Sequence, residues 1–222
     1  MKFPIPMLRL AAAAFNPGER LMASPMRPTL AVLAALLLPV EAFAQVAACT
    51  PPEEAAISQR DRDRIAGLED ARLRGLAAAL TSQSAEDRQT VSGIYSNALA
   101  PVDELPEGDY HCRTIKLGGI SPLVVYQFFD CSIEATDDGY AISKPTGSQR
   151  FSGTLTASGD GYFYRGALYY SDESPIAYDG ASERDQVGCL YRVSADGSSY
   201  ALELPSPQFE SFHDIILLLP KQ

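Results

Sequence analysis

The chain has no tryptophan, and only two histidines and four cysteines among its 222 residues. So little imidazole and thiolate leaves no material for a multi-metal centre. With neither a C-x-x-C pair nor a Cys/His cluster, a zinc site is not expected. Positive charge is scarce as well: 18 Lys and Arg stand against 28 Asp and Glu, for a formal charge of −10. Nucleic acid and anionic lipid are held by clustered Lys and Arg, so neither is expected as the main partner. The patterns G-x-S-x-G, H-E-x-x-H, G-x-G-x-x-G and the Walker loop are all missing from the sequence, and with them the usual signatures of nucleophilic, metal-dependent and nucleotide chemistry. What is present is a globular composition, 46% hydrophobic and 21% charged. The length suits one domain, or one domain with an appendage.

Residues 1–44 differ from the rest. Leu30 to Val40 is an apolar run with Arg27 before it and Ala42-Phe43-Ala44 after it. A basic flank, a short hydrophobic core and a small-x-small site are the parts of a secretory signal peptide. The run is too short to cross a bilayer, which takes about 20 residues, and Pro39 and Glu41 would interrupt it as a buried helix. Cleavage after Ala44 makes Gln45 the first residue of the working protein. Residues 1–21 sit awkwardly before this signal, and a start at Met22 or Met26 gives it ordinary proportions; the first 21 to 25 residues read as an over-called start or an extension. Lys2, Arg9, Arg20 and Arg27 leave with the leader, against Glu19 and Glu41, so the formal charge moves from −10 to −12. A second exit signal competes: Val46-Ala47-Ala48-Cys49 has the form of a lipobox, in which Cys49 would carry a lipid anchor. Glu41 and Gln45 separate this box from the apolar core, which a lipobox normally abuts. Either route predicts a protein of the periplasm or the exterior, or a membrane-anchored lipoprotein, with no transmembrane span in its mature form.

All four cysteines, Cys49, Cys112, Cys131 and Cys189, lie in the exported part. An even number in an oxidising compartment favours disulfides. A hairpin turning at Ser121-Pro122 places Cys112 directly opposite Cys131, close to bridging geometry. That leaves Cys49 to pair with Cys189 unless Cys49 is lipidated.

Residues 45–104 read as a helical segment and linker. Ile65, Leu68, Leu73, Leu76 and Leu80 recur at helical steps, while Arg60, Arg62, Arg64, Arg72 and Arg74 alternate with Asp61, Asp63, Glu69 and Asp70 on what should be a solvated, salt-bridged face. Ser84 and Asp87 resemble a capping box opening a second helix, with Val91, Ile94, Tyr95 and Leu99 on one side. Pro101 to Pro106 ends helical structure. From residue 105 the pattern changes to short β-branched and aromatic runs. Strands are expected at Tyr110–Leu117, Leu123–Ala135, Tyr140–Ser143, Gln149–Thr156, Tyr162–Tyr170, Val187–Val193, Tyr200–Leu204 and Asp214–Leu219, with turns at Gly118-Gly119, Asp138-Gly139, Ser158 to Gly161 and Asp196-Gly197. The fold class is therefore α+β: a helical segment followed by a mostly antiparallel barrel or sandwich of about eight short strands over residues 105–222.

Candidate chemistry is sparse. His213 lies among Glu210, Ser211 and Asp214, but near neighbours in sequence point in different directions, so a structural or surface role is expected. His111 should face away from Cys112, at the surface. Lys144, Thr146, Ser148, Gln149 and Arg150 make the most distinctive polar stretch, able to hold an anion or simply to turn between two strands. Tyr162, Tyr164, Leu168 and Tyr170 share one sheet face by period-two alternation, as a binding surface or as core. No catalytic, metal-binding or cofactor-binding residue is assigned.

Four segments together resemble a known family. Gly108-Asp109-Tyr110-His111-Cys112-Arg113-Thr114-Ile115-Lys116-Leu117-Gly118 looks like the opening of the β region in the bacterial domain-of-unknown-function family 4893. Phe129 to Glu134, Thr146 to Arg150 and Leu204 to Ser211 continue in the same order. The resemblance covers roughly 105–220, more weakly from about 60. The family pattern is richer in tryptophan; here Phe and Tyr stand in. The resemblance implies an exported bacterial protein and supplies no activity. The expected function is a non-catalytic envelope module binding a protein or a small apolar ligand. The alternatives are an envelope hydrolase using a carboxylate pair and a lipid-anchored structural protein.

Overall fold

The computed structural model describes residues 49–96, 99–193 and 198–221, all within one compact unit, Ala42–Gln222. The expected signal peptide, the alternative starts, residues 46–48 of the lipobox-like stretch and the expected Asp196-Gly197 turn lie outside the described residues. Among the described residues three helices precede nine strands: α1 Gln59–Ala66, α2 Leu68–Ala79, α3 Ala85–Tyr95, β1 Gly108–Leu117, β2 Leu123–Val125, β3 Phe129–Thr136, β4 Gly139–Lys144, β5 Gln149–Ser158, β6 Gly161–Tyr170, β7 Asp185–Arg192, β8 Tyr200–Pro205 and β9 His213–Pro220. No helix among the described residues is long and apolar enough to cross a membrane.

Every strand pairing is antiparallel, and β1 pairs with β9 as well as with β3. The run β1-β3-β4-β5-β6-β7-β8-β9 therefore closes on itself as an eight-stranded barrel, with β2 as an additional short strand beside β1. Closure removes the exposed sheet edges that invite aggregation. The expected strand over Leu123–Ala135 is broken at Tyr126-Gln127-Phe128. Ile115 faces Val125, but Cys112 faces Phe129, so three residues on one side oppose two on the other, a β-bulge. The turn centres on Gly119-Ile120, with Gly118 N–H donating to Pro122 O at 3.0 Å. Both features shift the expected register. Cys112 faces Phe129 and Cys131 faces Tyr110, so the two cysteines meet diagonally rather than directly, with Cα atoms 5.8 Å apart and sulfurs at disulfide distance. Cys49 and Cys189 form the second pair, Cα atoms 5.9 Å apart.

Alternation along the strands divides the protein into two apolar layers. Cys112, Ile133, Ile142, Phe151, Leu155, Tyr164, Leu190, Leu202 and Ile216 point into the barrel and form one core. Ile115, Leu117, Phe163, Val187, Cys189, Ala201 and Ile215 point outward and are covered by Ile65, Leu68, Ala79, Val91 and Ile94 of the helices. The segment expected as a linker is a plug. Ala100 bridges to Arg192, Val102 N–H donates to Asp160 O at 2.9 Å, and Val102 and Leu105 join the interior core at the end of the barrel where β1 begins.

Two features of the helical reading are corrected. The periodic run divides at Gly67 into α1 and α2, which leaves Leu73 and Leu80 exposed, at 58% and 71%. Conversely Asp61, Arg64 and Arg72 are buried: Arg64 and Arg72 reach carbonyls and Glu203 on the barrel, and Asp61 is held by Arg60, Arg64, Ser58 and Tyr178 rather than by water. The Arg74–Asp70 pair at 3.2 Å does lie on the solvated face. Ser84 caps α3 by accepting from Asp87 N–H at 3.2 Å, while its own N–H goes to Ser82 Oγ at 3.3 Å rather than back to Asp87. Ser58 caps α1 in the same way, accepting from Asp61 N–H.

Candidate functional site

At the end of the barrel opposite the plug, the inward-facing positions change from apolar to polar. Following each strand upward from its core residues by steps of two reaches Thr114 and Lys116 on β1, Lys144 on β4, Gln149 on β5, Gln186 on β7 and Asp214 on β9, with Phe129 on β3 among them. Lys116 is 6% exposed. Its Nζ lies 3.2 Å from Asp214 Oδ2 and 3.2 Å from Glu210 Oε2. Burial opposes the Lys116 charge, but the two acids outweigh it and raise its pKa above the ordinary lysine value. Burial pushes the Asp214 carboxyl up, against Lys116 and the Ser211 hydroxyl that donates to Asp214 Oδ1 at 2.5 Å.

Lys144 has no such partners among the described residues. It ends β4, is 3% exposed, and its Nζ donates to two carbonyls of its own turn, Thr146 O at 2.7 Å and Gln149 O at 2.6 Å. The Phe129 ring lies beneath, 4.2 Å from Nζ to the centroid. Burial first, and then the Arg150 charge, lower the Lys144 amine to about 8. Arg150 Nε donates to Gly147 O at 3.0 Å, and Thr146 Oγ1 accepts from Asp130 N–H at 3.2 Å. Gly147 makes this turn feasible. It has φ +87°, which strains any residue with a side chain, and a Cβ there would come 3.0 Å from both Lys144 Nζ and the Phe129 ring, crowding them. The polar stretch singled out in the sequence is thus a turn whose cations bind its own carbonyls.

Beside Lys144 opens a cleft of about 220 Å³ lined by Thr114, Tyr126, Phe129, Lys144, Ser148, Gln149 and Glu210. Gln149 also lines a neighbouring recess of about 20 Å³ with Arg64, Lys116, Gln186 and Asp214 among its walls. Arg64 reaches it from α1, with Nε on Pro205 O at 3.1 Å and Nη1 on Asp61 Oδ1 and Asp185 O, each at 3.0 Å. Its Nη2 is buried without a partner among the described residues. A space of this size holds about one water. The segments that carried the family resemblance, far apart in sequence, come together here: Thr114 and Lys116 from the first, Phe129 from the second, Thr146 to Arg150 from the third, Glu210 and Ser211 from the fourth.

One family model, Domain of unknown function (DUF4893), matches residues 54–218. The chain belongs to this family. No curated protein matches the chain, and no solved structure does. The matched span takes in the three helices and nearly all of the DUF4893 barrel, its polar mouth included.

The other candidates fall elsewhere in the DUF4893 fold. Tyr162 and Tyr164 are buried in the barrel interior, so they are core and not an open binding face. Leu168 lies at the mouth, and so does Tyr170, with the Arg184 guanidinium 4.9 Å from its ring centroid. His111 is exposed, opposite Asp130. His213 is wholly buried on the outer face of β9, beneath the helices. Its Nε2 is 3.1 Å from Glu203 Oε1, and its Nδ1 has no partner among the described residues. Glu203 also accepts from Tyr95 OH at 2.6 Å and from Arg72. Burial works to raise the Glu203 carboxyl, but hydrogen bonds from Arg72 and His213 overcome it and hold it at about 2. Helical periodicity does not reveal this cluster, because it places Arg72 on the solvated face and Glu203 belongs to no motif. The available signal was the alternation of β8, which puts Glu203 on the face opposite Leu202 and Leu204. Chemically, the cluster joins helices to barrel, whereas the mouth faces a cleft. Among the described residues no group of three or more His, Cys, Asp or Glu is placed to hold a metal ion.

Proposed function

We propose that the protein is an exported, disulfide-stapled binding module that takes a small ligand at the polar mouth of its barrel. One observation carries the reading: the cleft beside Lys144 is walled by a buried ammonium without a carboxylate partner, by hydroxyls and by aromatic rings, above an apolar interior. Concave sites with a few convergent polar groups on an apolar base are the usual form of small-molecule sites. The polar mouth replaces the tyrosine face as the binding surface. Export is supported by the leader pattern and by two cysteine pairs at disulfide distance, which persist in oxidising compartments. Pairing of Cys49 with Cys189 occupies the sulfur that a lipid anchor would need, which favours the soluble form over the lipoprotein. The hydrolase reading draws on Asp214 and Glu210, but the Lys116 ammonium bridges these two carboxylates at 3.2 Å each, where a glycosidase pair would leave a gap for sugar and water.

The test is a small-metabolite library screened against the ¹⁵N-labelled protein. Amide shifts should centre on Thr114, Lys116 and Lys144 to Arg150. Binders that shift only other faces, or a library without binders, would overturn the site. Cell fractionation should place the protein outside the cytoplasm, and a reduced cytoplasmic form would overturn export.

A further inference from the structure

We infer that the ligand of the barrel mouth carries a single carboxylate, and that this group docks on the Lys144 ammonium. The inference rests on the mouth being a binding site and names what it binds. An ammonium has three protons. Two of Lys144's go to Thr146 O and Gln149 O and the Phe129 ring lies 4.2 Å from Nζ, so none of its partners among the described residues carries a negative charge. A buried charge is ordinarily paired, and the other lysine of the mouth follows that rule with Asp214 and Glu210. Lys144 and its neighbour Arg150 have no carboxylate within ion-pair distance among the described residues. The turn that anchors Lys144 uses carbonyl oxygens, which orient the ammonium without neutralising it. The site is therefore organised around a positive charge that the protein leaves uncancelled.

The rest of the cleft limits what can bring the missing charge. Its volume of about 220 Å³ is below the several hundred Å³ of drug-sized sites, so the ligand is small. Thr114, Tyr126, Ser148 and Gln149 offer hydroxyl and amide donors for a second oxygen, and the Tyr126 and Phe129 rings can cover a short apolar body. Glu210 lines the same cleft. Arg150 donates to Gly147 O and does not line the cleft, so among the lining residues Lys144 carries the uncancelled positive charge. A phosphate dianion would find one ammonium there and be repelled by Glu210 more strongly than a monoanionic carboxylate. The lowered pKa of the amine agrees with this geometry: with no acid to hold the proton, burial governs, and the amine loses its charge just above neutrality.

The test titrates the ¹⁵N-labelled protein at pH 7 and pH 9.5 with N-acetylalanine, its neutral amide N-acetylalaninamide, and inorganic phosphate. N-acetylalanine should shift the amides of Thr114 and Lys144 to Arg150, bind at least tenfold more tightly than the amide or phosphate, and weaken about thirtyfold from pH 7 to pH 9.5 as Lys144 deprotonates. Lys144→Gln should lose the preference for acid over amide, and Lys144→Arg should keep at least part of it. The pH arm uses the unaltered protein, so it stands even if the variants disturb the turn. If the amide or phosphate binds at the mouth as well as the acid does, the carboxylate inference fails while the mouth remains a site. If none of the three shifts the mouth while library compounds do, the inference again fails alone. If nothing at all shifts the mouth, the inference and the binding reading fail together.

Discussion

Arg72 grips Glu203 through two parallel bonds, Nε to Oε1 at 2.9 Å and Nη2 to Oε2 at 2.5 Å, with the Glu203 side chain fully shielded from solvent. The fork–fork geometry fixes α2 on β8 in both angle and register. Removing one partner leaves a buried charge uncompensated, so Arg72→Met should cost about 3–5 kcal/mol in urea unfolding. Arg72→Met with Glu203→Leu should recover much of that loss, because an apolar pair of similar volume removes the desolvation penalty along with the charges. A double variant no better than Arg72→Met alone would mean that Tyr95 and His213 depend on the carboxylate too.

Acid should weaken the protein through the same carboxylate. Glu203 has a folded pKa near 2 against an ordinary value of 4.5, so its contribution is complete above 4.5 and is lost as pH falls toward 2. The size is on the order of 3 kcal/mol. Urea midpoints measured at pH 6, 4 and 3 should fall for the parent protein, and fall less for Glu203→Gln, which starts lower but has no carboxylate to protonate there.

The two cysteine pairs should differ in worth. Residues 112 and 131 are 19 apart in sequence, and residues 49 and 189 are 140 apart. Loop-closure entropy then assigns about 3 kcal/mol to the first and about 5 kcal/mol to the second. Replacing each pair by alanines and comparing denaturation midpoints checks the order. Mass spectrometry of non-reduced peptides should find Cys112 joined to Cys131 and Cys49 to Cys189.

Gly166→Ala should be costly despite its small size. A Cβ at that position would come 2.3 Å from Tyr164 Oη and 2.3 Å from Ser152 O. Tyr164 lies over Gly153 and Gly166, which face each other across β5 and β6, so the ring occupies the room that their missing side chains leave. Overpacking here should cost about 1–3 kcal/mol, read by thermal unfolding.

Leu73→Ser should be nearly silent, within about 0.5 kcal/mol, because this leucine is exposed on α2. A large loss would mean that its face is covered in solution.

The contrast between Leu73 and Arg72 marks where sequence reading succeeds and stops. Strands were legible because β-branched and aromatic runs are bounded by glycine and aspartate turns; β6 differs from its expected span by one residue. The caps at Ser84 and the inward tyrosines followed from local geometry. Helical periodicity, however, cannot tell a charge aimed at water from one aimed at a buried partner 131 residues away, as Arg72 is. The bulge at Tyr126 to Phe128 was hidden for a related reason: one extra residue changes the pairing without changing the apolar pattern. At the mouth, the turn from Lys144 to Arg150 stood out as polar, but its meaning comes from Thr114, Phe129 and Glu210, which only barrel closure brings beside it.

The two cysteine pairs are nested, the short span Cys112–Cys131 lying wholly inside the long span Cys49–Cys189. A chain that emerges amino end first therefore presents Cys49 and then Cys112, two sulfurs that are not partners. Cys49 must stay unspent until β7 arrives, or be released from a wrong match by thiol exchange. The helices cannot be fastened to the barrel until most of the barrel has emerged, so the first residues to appear are among the last to be secured.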